Sequence, residues 1–130
     1  DFIRINNLED FVLLNCIVSI TDLQTYMLAA DLIALPSLWE SFGQVVVGAM
    51  QLGKPVLGSD TGGIAEQISH NNTGFLASPG DSIAWSLELE RLMSAKTLLS
   101  AVGISARESL SDKMNSEQVA LKLIDFYSTL

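Results

Sequence analysis

The sequence contains one cysteine, one histidine and few basic residues, and each scarcity excludes a class of function. Cys16 has no partner for an internal disulfide. His70 has no cysteine or histidine at the spacing of zinc ligands, so we expect no metal site. Seven Lys and Arg against fifteen Asp and Glu give a net charge of -8, which leaves no basic surface for a nucleic-acid backbone. We therefore expect no nucleic-acid partner.

Long apolar segments are also missing. Residues 11–20 form one of the longest, but Asn15 interrupts it, whereas a membrane-spanning helix needs about 20 apolar residues. Residues 1–10 lack the basic start, apolar centre and cleavage site of a signal peptide. These features favour a cytoplasmic protein without a membrane span. Because the chain begins with Asp1 rather than Met, we expect it to be a piece of a longer protein.

The order of apolar segments predicts an α/β fold. Hydrophobic residues make up 48% of the 130 residues, as in a packed globular domain. Residues 1–81 alternate short strands and helices, and residues 82–130 form a helical tail. This alternation predicts a parallel sheet with flanking helices. The predicted strands are residues 11–18, 31–35, 56–59 and 75–77, and the predicted helices between them are residues 21–30, 44–52 and 64–69.

Helix ends and helix faces can be assigned from local signals. Thr21 and Gln24 have the form of a capping box at the start of the first helix, with Leu23, Tyr26, Met27 and Ala30 on its apolar face. Gly53 and Pro55 end the helix of residues 44–52, whose valine-rich sequence predicts burial on most sides. The tail carries two apolar faces, Trp85, Leu89, Leu92 and Met93 in one and Val119, Leu123, Phe126, Tyr127 and Leu130 in the other, with Asn115 capping the last helix.

The loop of residues 36–43 lies where ligands of parallel α/β sheets bind, at the carboxyl end of a strand. The backbone N–H groups of Phe42, Gly43 and Gln44 open the following helix and make a candidate anion site, suited to a diphosphate. The carboxylate of Glu40 adds an acceptor for sugar hydroxyls. In the alternative interpretation, Glu40 only caps the helix and nothing binds.

The loop of residues 59–63 is a second candidate, because Gly62 and Gly63 allow the backbone to approach a ligand closely. Its neighbours have simple structural interpretations. Asp60 caps the glycine turn, and Glu66 stabilises the first turn of its own helix. Trp39 is either a stacking platform for a ligand or a partly buried loop aromatic. Lys54 is a surface residue at the end of the helix opposite the anion site.

Four segments together resemble the GT-B glycosyltransferases of family 4. They are residues 30–43 (ADLIALPSLWESFG), 49–56 (AMQLGKPV), 62–66 (GGIAE) and 73–76 (TGFL). The resemblance implies a Rossmann-like sheet that forms the second half of the C-terminal, donor-binding domain. It also implies retaining transfer from a UDP-, GDP- or ADP-sugar, with no metal ion or cofactor. The N-terminal acceptor domain and the basic residues that neutralise the departing diphosphate are then missing from this chain.

In that family two glutamates, eight positions apart, hold the donor sugar and the nucleotide ribose. Glu40 matches the first, so it is the candidate catalytic residue. The segment Ser41, Phe42, Gly43 and Gln44 matches the backbone beside the sugar and the diphosphate and is the candidate substrate-binding segment. Gly48 occupies the second glutamate position, where it indicates either close helix packing or relaxed selection.

Three functions follow from these observations. The first is the donor-binding segment of a glycosyltransferase, with the isolated chain inactive. The second, suggested by Gly48, is a non-catalytic module that retains the fold for interaction or regulation. The third is a GT-B sugar-nucleotide epimerase.

Overall fold

The chain folds into a small parallel sheet covered by helices. The computed structural model describes residues 2–15, 19–113, 120–121 and 124–127. The elements are, in order, α1 (Phe2–Ile5), α2 (Ile20–Ala29), β1 (Ile33–Leu35), α3 (Gln44–Gln51), β2 (Val56–Ser59), α4 (Gly62–Gln67), β3 (Phe75–Ala77), α5 (Ser82–Met93) and α6 (Lys96–Lys113). The strands pair in parallel in the order β1-β2-β3, with Ile33 beside Val56 and Leu57 beside Phe75. The predicted Rossmann-like α/β fold is confirmed.

The predicted strand of residues 11–18 is wrong for its described part. Residues 11–15 are exposed and belong to no strand, while residues 16–18 lie outside the described residues. A strand forms only when its N–H and C=O groups find a partner strand. β1 has one such edge occupied by β2, and its other edge pairs with no described strand.

Helix α2 begins at a different cap from the one predicted. Ser19 is the N-cap, and its hydroxyl accepts a hydrogen bond from the Asp22 N–H at 3.1 Å. The prediction that Thr21 and Gln24 form a capping box is therefore wrong, because Thr21 already lies inside the helix. Of the predicted apolar face only Met27 is buried in the described structure.

Helix α3 matches the predicted boundaries because glycines mark both of its ends. At its carboxyl end Gly53 adopts a φ of 69°, and its N–H donates to the Met50 carbonyl while the Lys54 N–H donates to Ala49. This is the Schellman arrangement that glycine favours. Burial on most sides was overstated, because Val46, Ala49 and Met50 are buried whereas Val45 is 36% exposed.

Side chains alternate between the two faces of the sheet and form two apolar clusters. One face packs against α3, α4 and the second half of α6, and it includes Val46, Ala49, Met50, Val56, Ile64, Ile68, Ala106 and Leu110. The other packs against α5 and the first half of α6, and it includes Leu57, Phe75, Ala77, Trp85, Leu92, Leu99 and Val102. β2 lies between both clusters and is buried along its whole length.

The predicted tail of residues 82–130 is mostly helical in its described part, with differences in its faces. Asp81 caps α5 by accepting from the Ile83 and Ala84 N–H groups at 3.0 Å. Trp85 and Leu92 are buried as expected, but Met93 is 76% exposed. Residues 120–121 and 124–127 are helical, and the exposed Phe126 and Tyr127 do not join the core. Asn115, Val119, Leu123 and Leu130 lie outside the described residues.

Helix α6 was not predicted as a separate element, although its sequence carries the signal. Leu99, Val102, Ala106 and Leu110 recur at spacings of three and four and are all buried. Within the described part of the chain, no helix combines the length and the apolar composition that crossing a membrane requires.

Replacing either of two helical glycines by alanine is expected to change the free energy of unfolding, in opposite directions. A Cβ at Gly103 of α6 would overlap the backbone carbonyl of Gly53, whereas a Cβ at Gly48 of α3 would meet no atom within 4 Å. We expect Gly103→Ala to lower the free energy of unfolding by about 1–3 kcal/mol through overpacking. Gly48→Ala is expected to raise it by about 0.5–1 kcal/mol because alanine favours the helix. Denaturant unfolding of both variants checks this, and equal stabilities would contradict the packing.

Candidate functional site

A glycine in a left-handed conformation starts α3 at the end of the loop of residues 36–43. Gly43 is the N-cap, with φ 79° and ψ 52°, and no side chain caps the helix. A residue with a Cβ would be strained at this φ. The helix therefore begins with backbone groups alone.

These backbone groups leave hydrogen-bond donors free at the helix start. The Gly43 carbonyl accepts from the Val46 and Val47 N–H groups at 2.9 and 3.3 Å. No described group accepts from the N–H groups of Phe42, Gly43, Gln44 or Val45. The positive end of the helix dipole lies at the same place. Together these groups can accept a bound anion.

Glu40 lies beside this helix start. Its Cγ is 3.7 Å from the position that a Cβ on Gly43 would occupy, and the residue is half-buried. Its carboxylate makes no hydrogen bond or ion pair with the described residues. The alternative in which Glu40 caps α3 is wrong, because the cap receives no side-chain hydrogen bond. Both carboxylate oxygens are available to an external donor.

The two glycines of α4 pack against the loop. The Gly63 N–H donates to the Glu40 carbonyl at 2.9 Å. A Cβ on Gly63 would lie 2.5 Å from the Ser41 carbonyl oxygen, and one on Gly62 would overlap the Glu40 carbonyl. Only glycine therefore lets α4 approach the backbone of residues 40–42 this closely, and the close contact of this pair with a ligand stays a prediction.

Gln67 is not among the predicted site residues, but it also contacts the loop. Its Nε2 donates to the Phe42 carbonyl, and its Oε1 is buried without a described partner. The contact joins residues 25 positions apart. A single glutamine carries no periodic pattern, so no sequence signal pointed to it.

Gly48 lies one turn after Gln44 on α3, and the space beside it is open. A Cβ there would meet no atom within 4 Å. Packing against the described residues is therefore not the reason for this glycine, and relaxed selection stays a prediction. Position 48 therefore offers no carboxylate to a ligand on the helix face beyond Gln44.

Four other sequence interpretations can be compared with the structure. Trp39 is 74% exposed, so it is not a partly buried aromatic. Asp60 is exposed and caps nothing, since Thr61 is the N-cap of α4 and α4 has no side-chain cap. Glu66 lies beyond the first turn of α4, so its predicted role there is wrong. Lys54 is half-buried and donates to the Ala30 carbonyl at 3.1 Å.

Three described cations, Lys54, Lys96 and Arg91, lie at the opposite edge of the sheet, where the strands begin. Lys54 precedes β2 and lines a cavity of about 210 Å³ with Asp31 and Lys96. Arg91 binds Glu88 at 2.6 Å and lies over the Phe75 ring at the start of β3. The hydrogen bond from Arg91 lowers the pKa of Glu88. Positive charge at the helix start therefore comes from its N–H groups and not from these side chains.

The candidate site is an open ledge, not an enclosed cavity. Ser41, Phe42 and Gln44 are exposed, and Gly43 beneath them is buried. The structure brings the predicted residues Glu40 to Gln44 together at one end of α3, with Gly48 one turn further along the helix. Their roles in binding stay predictions. Among the described residues no three potential metal ligands of the His, Cys, Asp or Glu type gather at one place.

Comparison with known proteins adds independent findings. The sequence model of one family, the glycosyl transferases group 1, matches residues 6–109. The N-acetyl-alpha-D-glucosaminyl L-malate synthase of Bacillus anthracis is 37% identical over 101 residues, which cover 78% of this chain and 26% of that protein.

Solved structures share the fold over nearly the whole chain. The sucrose-phosphate synthase of Thermosynechococcus elongatus has a TM-score of 0.84 and 29% identity, covering 98% of this chain and 32% of that one. Anabaena HepE, solved in complex with UDP and glucose, has a TM-score of 0.82 and 28% identity, covering 98% and 35%. This chain thus spans about a quarter to a third of the length of these three relatives.

The glycine packing against the loop predicts a stability effect. Gly63→Ala is expected to lower the free energy of unfolding by about 1–3 kcal/mol, because its methyl group meets the backbone of Ser41 and Phe42, which cannot rotate away. Gly48→Ala, whose methyl group meets open space, is the matched control. Denaturant unfolding is the measurement. A Gly63→Ala variant as stable as the control would show that α4 does not hold the loop.

Proposed function

The chain belongs to the glycosyl transferases group 1 family, which has the GT-B fold, and we propose that it holds the sugar-diphosphate end of a nucleotide-sugar donor in a longer enzyme. The observation that carries the proposal is the position of Glu40. Its Cγ lies 3.7 Å from the position of a Cβ on Gly43, the residue that starts α3, and its carboxylate has no partner among the described residues.

This pairing of groups suits a sugar diphosphate better than a simple phosphate. The N–H groups of Gly43, Gln44 and Val45 can share the negative charge of the diphosphate. The neighbouring Glu40 carboxylate offers nothing to a free phosphate, but it can accept hydrogen bonds from the hydroxyls of an attached sugar. Sugar and diphosphate are adjacent in a nucleotide sugar, as the carboxylate and the N–H groups are in this site.

The finer parts of the proposal concern the reaction. We assign the chain to the C-terminal half of a family 4 enzyme that transfers sugar with retention and without a metal ion or cofactor, in the cytoplasm. The donor is a UDP-, GDP- or ADP-sugar, and the HepE complex with UDP and glucose supports the first. An N-terminal domain supplies the acceptor pocket. The cations that stabilise the leaving diphosphate come from other parts of the longer protein.

The chain by itself is expected to be inactive. Its described site is an open ledge without an acceptor pocket, and the cations Lys54 and Arg91 lie at the far edge of the sheet. Incubation of the 130 residues with a panel of nucleotide sugars should give no transfer above background. Transfer by the isolated chain would contradict this part of the proposal.

Removing the charge of Glu40 tests the site directly. In the full-length protein, Glu40→Gln is expected to lower kcat/KM for the donor by about ten- to a hundredfold, the loss of one or two charge-assisted hydrogen bonds to sugar hydroxyls. Steady-state kinetics with the best donor of the panel provide the measurement.

The matched control is Glu90→Gln, because Glu90 is exposed on α5 and has no hydrogen bond. It should keep the wild-type kcat/KM. Equal rates for Glu40→Gln and Glu90→Gln would exclude Glu40 from the donor site.

A non-catalytic module is the second candidate function, and Gly48 favours it. Because the space beside Gly48 is open, Gly48→Glu can add a carboxylate without displacing its neighbours. If the missing carboxylate once bound the donor ribose, this variant should bind the donor about ten- to a hundredfold more tightly. Calorimetry on the full-length protein measures the Kd.

Gly48→Ala is the control, since it changes the helix without adding a charge. Tighter binding only in Gly48→Glu, from a wild type that binds weakly and transfers nothing, supports the module. A wild type that already binds as tightly as Gly48→Glu removes the reason for that candidate. A nucleotide sugar whose sugar is epimerised rather than transferred, found by product analysis, would indicate the epimerase.

A further inference from the structure

Helix α4 supports the candidate site through two hydrogen bonds to the loop. One is between backbone groups, from Gly63 to the Glu40 carbonyl. The other uses a side chain, from Gln67 Nε2 to the Phe42 carbonyl. The second bond reaches the peptide immediately before Gly43, the residue that starts α3.

A peptide group is planar, so a bond to its carbonyl fixes the direction of its N–H. The described chain has no cis peptide, and in a trans peptide the Phe42 carbonyl and the Gly43 N–H point in opposite directions. Holding the carbonyl on Gln67 therefore turns the Gly43 N–H away from α4. A hydrogen bond accepted by the carbonyl also polarises the same peptide and makes its N–H a stronger donor.

The orientation of the Gln67 amide is set by its neighbour. If the amide were reversed, Oε1 would face the Phe42 carbonyl, and two acceptors would repel each other. In the observed orientation Oε1 is buried without a described partner, which is unfavourable for an amide oxygen. An apolar side chain would avoid that cost. The hydrogen bond from Nε2 to the Phe42 carbonyl is therefore the best explanation for a glutamine at this position.

We propose that Gln67 is a positioning residue for the donor site, because it sets the plane of the Phe42–Gly43 peptide and so aims the Gly43 N–H at the diphosphate. The proposal rests on the proposed function for the identity of the ligand. It goes beyond that function in naming a residue that does not touch the ligand. The contact itself can be tested without any ligand.

The test replaces Gln67 by an isosteric group whose donor can be switched. In Gln67→Glu the carboxylate faces the Phe42 carbonyl at alkaline pH and repels it. The same environment raises the pKa of the introduced carboxyl, and once protonated it donates to the carbonyl again. Calorimetry on the full-length protein should show the Kd for UDP-glucose raised about tenfold at alkaline pH and returning toward the wild-type value as the pH falls.

Two further variants separate positioning from stability. Gln67→Met keeps the length of the side chain without a donor, so its weaker binding should not recover at acidic pH. Gln24→Glu adds the same charge at an exposed position of α2 without a hydrogen bond and should behave as wild type. Glu66 on α4 and Glu40 in the loop also carry carboxyl groups, so the wild-type pH profile is the reference for every variant.

The Gly43 amide signal in nuclear magnetic resonance provides a readout that needs no donor. In Gln67→Glu this signal should shift with the protonation of the introduced carboxyl, and in Gln24→Glu it should follow the wild type. An unmoved Gly43 signal, or equal binding loss in Gln67→Glu at every pH, would overturn the positioning role. If the wild type binds none of a panel of UDP-, GDP- and ADP-sugars while the Gly43 signal of Gln67→Glu still shifts with pH, the proposed function fails and the contact stands.

Discussion

The close contact between the backbone of residues 40–42 and the first turn of α4 is the constraint on which the site depends. Gly62 and Gly63 carry no Cβ, and a Cβ on either would collide with the loop backbone. The contact lets the Gly63 N–H and the Gln67 amide reach two carbonyls of the loop. Because the Phe42 carbonyl is held on one side, the Gly43 N–H of the same planar peptide is left facing the other side.

The buried parts of the fold keep this arrangement in place. α3 packs its Val46, Ala49 and Met50 on the same face of the sheet as Ile64 of α4, so the two helices that form the site share one apolar cluster. Exposed groups are then concentrated at the helix start, where Ser41 and Gln44 reach solvent. The apolar cluster thus supports the open ledge at which we propose that the donor binds.

The sequence predicted those features that neighbouring residues determine. The ends of α3 follow from Gly43, Gly53 and Pro55, and β2 follows from a short apolar segment between turns. Features that depend on distant parts of the chain were missed. Residues 11–15 carry a strand-like sequence but have no partner strand among the described residues. A glycine pair looks the same in sequence whether a ligand or a backbone lies against it, and the Gln67 contact spans 25 positions.

The most direct test of the account is to follow the backbone amide signals of Gly43, Gln44 and Val45 while UDP-glucose is added to the full-length protein. If these N–H groups bind the diphosphate, their signals move together and saturate with the Kd of the donor, and UDP alone moves them as well. Saturable binding of UDP-glucose that leaves all three signals unchanged would place the donor elsewhere and contradict the account.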